Sequence, residues 1–420
     1  MCKSKMNVRV IKSKISNSRT ARSAKSSSQP SQQATRASSI GEPSSGSFTD
    51  GNYTSGSSYR YLSGSSSTST QAALSTIKES LADNAHIYEF SEICSATNNF
   101  ALAKRFSSSS WRCSIRGKDV VVFQRKFRRP MELQELRERL GTICKCHHMS
   151  VIKLLGASIS GNYIYLVYDY VHGANLAECL RNPRNPNFTV LSNWLSRMQI
   201  AADLAHGLDY IHHSAGLDRK FVHNRIKSSS IVVTEPSLNA KICHFGTAAL
   251  SGEIAVEDLK NSTESKIELQ RSRSRVMRIE GTRGYMAPEF QSTGIATRRT
   301  DVYAFGIVIL ELLSGKEPLK YRVDEESGGY ERESVIEAAR GAVDDGRLRQ
   351  WVDRRLGDSY PVGVAEAMAR MGLECVDADP GKRPDMGRVA GTVSKLYLES
   401  ITWAEKMGVP TDFSVSLAPR

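Results

Sequence analysis

The sequence predicts an α+β fold in which a small β-rich lobe with one helix precedes a larger, mostly α-helical lobe. Three observations predict it. Composition shifts at about Ile87 from small polar residues to a mixed apolar pattern. Apolar, β-branched runs flank Gly-containing turns between 111 and 171. Beyond residue 190 the apolar residues recur at spacings of three and four. A chain of 420 residues with 40% hydrophobic content can bury a sizeable core, so a folded globular protein is expected.

From Met1 to about Asp83 the chain is rich in Ser, Gly, Thr and Gln and poor in large aliphatics, too little apolar surface to offset chain entropy. Residues 1–86 are therefore expected to be a disordered tail and linker. Residues 1–41 hold nine Lys or Arg and no acid, most of the formal net charge of +13. Such a tail suits an anionic membrane surface, with acylation of Cys2 as an aid, or a phosphorylatable arm, a transit peptide, or a plain solvated linker. No Gly follows Met1, which excludes myristoylation.

The elements follow in order. "WRCSIRGKDVVVFQR" (111–125) predicts two antiparallel strands about a Gly-containing turn, and "PMELQELRERLGTICKCHH" a helix opened by Pro130. "VIKLLGASISGNYIYLVYDYV" gives two further strands joined through Ser160-Gly161-Asn162. "SNWLSRMQIAADLAHGLDYIHH" spaces Trp194, Met198, Ala201, Leu204, Ala205, Leu208 and Ile211 for a helix, with Ser192 as the residue to accept first-turn amides. Further helices are expected at about 300–315, 334–343, 365–377 and 386–399.

Some function classes are excluded. The longest apolar candidate, "DVYAFGIVILELLSG", contains Asp301 and Glu311 and reads as a buried helix, not a membrane span. The eight cysteines are scattered without a CxxC pair or a secretory signal, which predicts a reducing, intracellular setting. Cys144 to His148, "CKCHH", are too crowded and lack a second ligand pair, so no metal site is expected there.

Between and beyond these elements stand "AKICHFGTAAL", "GTRGYMAPEF", "TDVYAFGIVILELLSGKEP" and "DPGKRPDM". Their order and spacing resemble a protein kinase domain over about residues 88–400. With "HIYEFSEICSATNNF" they resemble plant receptor-like kinases, and "FVHNRIKSSSIVV" and the "SLAPR" ending are most similar to the LysM receptor-like kinases. The resemblance implies a bilobal kinase-like domain over 87–400, with an N-lobe at about 100–171, a C-lobe at about 172–400, and a C-terminal tail over 401–420.

In that family phosphate transfer rests on positioning and charge neutralisation. The resemblance places Ser107 to Ser110, Ser109 among them, where a phosphate-covering loop would carry glycines. It places Phe123, or Gln124 if the register slips, where a strand lysine belongs, with Glu135 and Glu138 as alternatives for its helix partner; either acid otherwise reads as solvated. It places Arg225 at the catalytic acid and Ser230 at the metal-holding Asn, while Lys227 keeps the loop lysine. A guanidinium cannot accept a proton near neutral pH, though it attracts anions. It places His244 at the metal-binding Asp, and neutral imidazole is a poor ligand for magnesium. Tyr168 and Tyr170 would line the degenerate nucleotide cleft.

By the same resemblance the framework residues are kept: His223 packing with Phe245 before Gly246, Asp301 bonding the catalytic-loop backbone, and Glu289 paired with Arg383. Between His244 and Glu289 lie Arg271, Arg273, Arg275 and Arg278 interleaved with Ser272 and Ser274, a solvated run or a phosphorylation site. The resulting expectation is a catalytically impaired kinase homologue, a pseudokinase, cytoplasmic or peripheral at the plasma membrane, that binds an active receptor-like kinase or other signalling protein. No cofactor is expected, the substitutions arguing against ATP and magnesium, and no specific nucleic acid. The alternatives are a weak or unconventional serine/threonine kinase that rebuilds a site from Lys126 or Lys227 and Asp218, and a membrane-associated adaptor tethered by the basic tail.

Overall fold

The computed structural model describes residues 85–128, 131–182, 191–218, 221–253, 281–323, 330–357 and 359–408. Nearly all of the basic tail, the Arg-rich run over 271–278 and residues 409–420 lie outside them.

The N-lobe is a six-stranded sheet in the order β1-β5-β6-β4-β3-β2, with β1 His86–Ile87, β2 Arg105–Ser107, β3 Ser110–Ile115, β4 Lys118–Lys126, β5 Leu154–Ser160 and β6 Tyr163–Asp169. The turns are those predicted, at Arg116-Gly117 and Gly161-Asn162, with Arg116, Gly117 and Gly161 in the left-handed region that suits tight hairpins. The edge strand β1 pairs parallel with β5, and its His86 backbone passes so close to Gly156 that a Cβ there would lie 1.9 Å from the His86 carbonyl oxygen. Only glycine fits that crossing.

Helix α1, Phe90–Thr97, covers the outer face of the sheet and was not among the predicted helices. Ile93 packs with Cys113, Ile115, Val120, Val122, Tyr165 and Val167 into a small core of its own. The N-lobe thus begins before its predicted start near residue 100. Helix α2, Leu133–Ile143, turns Leu136, Leu140 and Ile143 inward and ends before Cys144 to His148, so the CKCHH stretch follows the helix and does not lie within its pattern.

The C-lobe starts with β7 Gly173–Asn175 and α3 Leu176–Arg181, then α4 Trp194–Asp209, which is buried almost all round. The cap of α4 is Asn193, whose side chain accepts the Leu195 amide at 2.8 Å, one residue beyond the expected Ser192. A hairpin of β8 Ile231–Thr234 and β9 Ala240–Ile242 follows, and then α5 Thr247–Leu250 and α6 Pro288–Thr293. The central helix α7, Arg298–Ser314, is buried from Thr300 to Ser314. Beyond it come α8 Val335–Asp344, α9 Leu348–Trp351, α10 Val362–Cys375 and α11 Met386–Met407. Helix α11 runs past the expected end at 399, because Ser400 and Ala404 continue its buried stripe and the Ser400 hydroxyl meets the Trp194 indole. No helix among the described residues is long and apolar enough to cross a membrane.

Candidate functional site

Strand β4 alternates its side chains across the sheet, and that parity decides what faces the space between the lobes. Phe123 is buried in the core shared with the C-lobe, and its ring lies 4.3 Å, centroid to centroid, from the His244 imidazole. Gln124, the alternative register, points the other way and donates to the Tyr165 hydroxyl at 3.1 Å on the outer face. Lys126 shares the parity of Gln124, is exposed, and does not reach the cleft.

The Arg116-Gly117 turn sets β3 opposite β4, pairing Ser110 with Phe123 and Arg112 with Val121. Arg112 therefore shares the cleft-side parity of Phe123. Its guanidinium sits 3.7 Å from the centroid of the Tyr170 ring and bonds Asp119 at 2.9 Å. Sequence reasoning missed Arg112; counting strand parity back across the turn would have found it. The Ser107-to-Ser110 loop is a closed two-residue hairpin. The Ser107 and Ser110 hydroxyls lie 2.6 Å apart, and Arg105 donates to the carbonyls of Ser107 and Ser108.

At the floor of the cleft His244 has φ of 65° and is followed by Gly246 at φ 80°, so the chain turns sharply about Phe245. A Cβ on Gly246 would meet Ile143 of α2 at 2.7 Å, which requires glycine there. The Tyr168 hydroxyl donates to the Phe245 carbonyl at 2.8 Å and shares a bond with the Thr247 hydroxyl at 2.8 Å. Burial pushes the Tyr168 phenol far up. Burial first, and then the charges of Arg225, His223, Lys227 and Arg125, hold the His244 imidazole well below its ordinary value, so it is neutral. Its Nδ1 is buried without a hydrogen-bond partner.

The loop Phe221–Ser230 is anchored by Asp301 of α7. One carboxylate oxygen accepts the His223 amide at 2.7 Å and the His212 ring at 3.1 Å, and the other accepts the Asn224 amide at 2.8 Å. His223 is buried, which lowers its pKa to about 4. The Phe221 ring lies 5.6 Å from that of Phe245, tilted by 54°, an aromatic contact beneath the site that the sequence did not predict. Ser228 is held by Arg181, Tyr285 and Glu311, the last fully buried in α7. Ser230 is buried at the start of β8.

Arg225 does not point into solvent. Its guanidinium bonds Glu253 Oε1 at 2.5 Å, and Arg125 of β4 bonds the same oxygen at 2.6 Å. Burial alone would raise the Glu253 carboxyl, but the two guanidiniums outweigh it and hold the carboxyl below its usual range. Burial likewise lowers Arg225. Glu253 was not a sequence candidate, since a lone Glu after Gly252 carries no pattern. On α2, Glu135 pairs with Arg139 four residues along at 2.6 Å, and Glu138 is exposed and bonded by Gln134. Arg139 also donates to the Ala249 carbonyl, tying α2 to α5.

Against known proteins, the protein kinase domain family model matches residues 120–391. The chain belongs to the protein kinase family. From Arabidopsis thaliana, Protein LYK5 is 30% identical over 76% of this chain and 44% of its own length, and LysM domain receptor-like kinase 3 is 30% identical over 76% and 47%. The chain thus spans under half the length of these receptors. The probable serine/threonine-protein kinase PBL18 of the same plant is 30% identical over 76% of this chain and 78% of its own. The fold is also that of the pseudokinase domain of BIR2, an immune regulator of the RLK/Pelle family, with TM-score 0.57, 22% identity, and coverage of 81% of this chain and 99% of that one.

In this kinase fold the carboxyl end of the C-lobe is fastened as the resemblance implied. Arg383, with a fully buried side chain, makes two bonds to the Glu289 carboxylate at 2.7 and 2.8 Å. The Phe123 and His244 rings meet between β4 and the turn at 244–246, where the charges of Arg225, Lys227 and Arg125 act on the imidazole and Glu253 pairs with the two guanidiniums. Magnesium prefers oxygen ligands, and among the described residues no group of three His, Cys, Asp or Glu is arranged to hold an ion.

Proposed function

We propose that this kinase-fold chain is a catalytically impaired homologue, a pseudokinase, that acts by protein–protein binding in receptor-kinase signalling. Its partner would be an active receptor-like kinase or another signalling protein on the cytoplasmic side of the membrane, with no ATP or magnesium cofactor. One observation carries the reading: Phe123 and His244 stack at 4.3 Å at the positions that the family uses for a lysine and a metal-binding carboxylate. Aromatic contact and burial favour that pair by about 1 kcal/mol beyond the apolar area it removes from water, so the cleft is stabilised in a closed form.

The reading is supported by the retained framework at Asp301, Glu289 and Arg383, which keeps a surface for partners without the chemistry. The fold is shared with a domain described as the pseudokinase domain of an immune regulator.

The test is incubation of the full chain with labelled ATP and magnesium or manganese, alongside a thermal melt at millimolar nucleotide. No phosphate incorporation and no shift in Tm are expected, because a ligand bound only by the native state must raise Tm. Incorporation that vanishes in Phe123→Trp or His244→Trp would sink the proposal.

A further inference from the structure

A cavity of about 390 Å³ opens between the loop carrying Arg225 and the segment Gly281–Ala287. Its lining includes Arg125, Arg225, Lys227, Glu253, Thr282 and Tyr285. Three cations therefore face one space. Asp301 also borders it, but its oxygens are committed to the His223 and Asn224 amides and to His212. Glu253 meets both guanidiniums through a single oxygen, Oε1.

Two donors are left over. Lys227 Nζ bonds the Thr282 hydroxyl at 3.1 Å, and no carboxylate pairs with it among the described residues. Arg225 Nε is buried and has no hydrogen-bond partner. Leaving a buried charged donor unmet is costly, and an entering anion recovers that cost. Lys227 is depressed by burial first and then by the Arg225 and Arg125 charges, while the Glu253 carboxylate in the same cavity is taken up by the two guanidiniums.

We propose that this cavity is a binding site for a phosphate monoester, the phosphoryl group of a phosphorylated serine or threonine side chain. A tetrahedral dianion in this cavity would meet the Arg225 and Lys227 cations from one space and offers oxygens for charge-assisted bonds from both. The cavity is far larger than a phosphate, and Met286, Ala287 and Phe290 give the far wall apolar surface for the ester's carbon chain. The position that the resemblance assigns to a proton-accepting acid is thereby turned into one that receives an already phosphorylated group. The inference goes beyond the binding role above and does not require it. Its test contains neither nucleotide nor metal, so it and the loss of phosphotransfer can fail separately.

The probe is a fluorescent nine-residue Gly/Ser peptide carrying one phosphoserine, titrated with the full chain and followed by anisotropy at constant salt. The phosphopeptide is expected to bind at least about tenfold more tightly than its unphosphorylated form, since a charge-assisted hydrogen bond carries that order of free energy. Lys227→Met and Arg225→Gln should each weaken it by about tenfold or more on the same ground. The basic tail is common to all variants, and Lys395→Met, an exposed change on α11, should leave binding unaltered. Lys227→Met keeps the test decisive if Arg225→Gln does not fold, because among the described residues Lys227 bonds the Thr282 hydroxyl and no carboxylate. Inorganic phosphate as competitor separates the sources: equal potency assigns the site to the free anion, and at least tenfold weaker potency to the phosphorylated side chain. Absence of phosphopeptide binding, or binding unchanged in a folded Lys227→Met, would overturn the proposal.

Discussion

His244 shows what a buried, positively charged place does to an imidazole. The imidazole cannot be charged there, because burial and the cations around it oppose a proton. His223 behaves the same way, with its pKa lowered to about 4. In the unfolded chain both titrate near their ordinary value of about 6.5. Between pH 6.5 and 4 the unfolded state therefore binds protons that the folded state refuses. Stability is complete above about pH 6.5 and falls as the pH drops, by about 1.4 kcal/mol per pH unit for each histidine. For His223 the loss levels off below about pH 4. Urea unfolding at pH 7, 6 and 5 should show this slope, and His244→Phe, which keeps a ring against Phe123, should reduce it by one histidine's share. An unchanged slope in His244→Phe would mean that the imidazole is not held neutral. The sequence left Phe123 and Gln124 as alternatives, and strand parity turns Phe123 toward His244 and Gln124 toward Tyr165. The contact with His244 was not legible, because ring packing across 121 residues leaves no local signal.

At the scale of elements, strand and helix existence were readable from periodicity, and what failed were ends and pairings decided by tertiary contact. Asn193 caps α4 in place of Ser192, since the first-turn amides aim at whichever side chain the incoming chain presents. Helix α11 extends to Met407 because its last two turns still bury Ser400 and Ala404 against the lobe. Helix α1 was missed because only its packing on Cys113 and Val122 makes a face out of a short mixed segment. The segment 281–293 is the element most dependent on a distant partner. It is fixed at one end by Tyr285 to Glu311 and at the other by Glu289 to Arg383. Glu289→Gln would leave a fully buried guanidinium facing a neutral amide and is expected to cost about 3 kcal/mol, as when one side of a buried pair is removed. Hydrogen exchange should then accelerate at the amides of α6 while those of α7 keep their protection; equal acceleration in both would show that the pair holds the whole lobe and not this segment.

Across the whole molecule, the two lobes are joined by a chain of neighbouring contacts. Phe123 of the N-lobe sheet meets His244 of the C-lobe, Arg125 of the same strand meets Glu253, and Glu253 in turn meets Arg225 of the loop anchored by Asp301. Arg112 stacks on Tyr170 where the two lobes join. A single reversion toward an active kinase works against this arrangement. His244→Asp alone places a carboxylate against the Phe123 ring, and Phe123→Lys alone adds a cation beside Arg125 and Arg225. Phe123→Lys is expected to be destabilising, by about 1–3 kcal/mol for an unpaired charge brought inside, whereas the desolvation of the His244→Asp carboxylate is partly offset by the charges of Arg225, Lys227 and Arg125. Together with Arg225→Asp, Ser230→Asn and Arg112→Val, the same changes pair the new charges and empty the slot beside Tyr170. The effects should then be strongly non-additive, as for residues in direct contact. The fivefold variant should gain Tm in millimolar ATP with magnesium, while the two single variants should not, because only the complete set offers both phosphate neutralisation and oxygen ligands. If Phe123→Lys alone produced a magnesium-dependent shift, the closure of the cleft would rest on that one ring and not on the connected set.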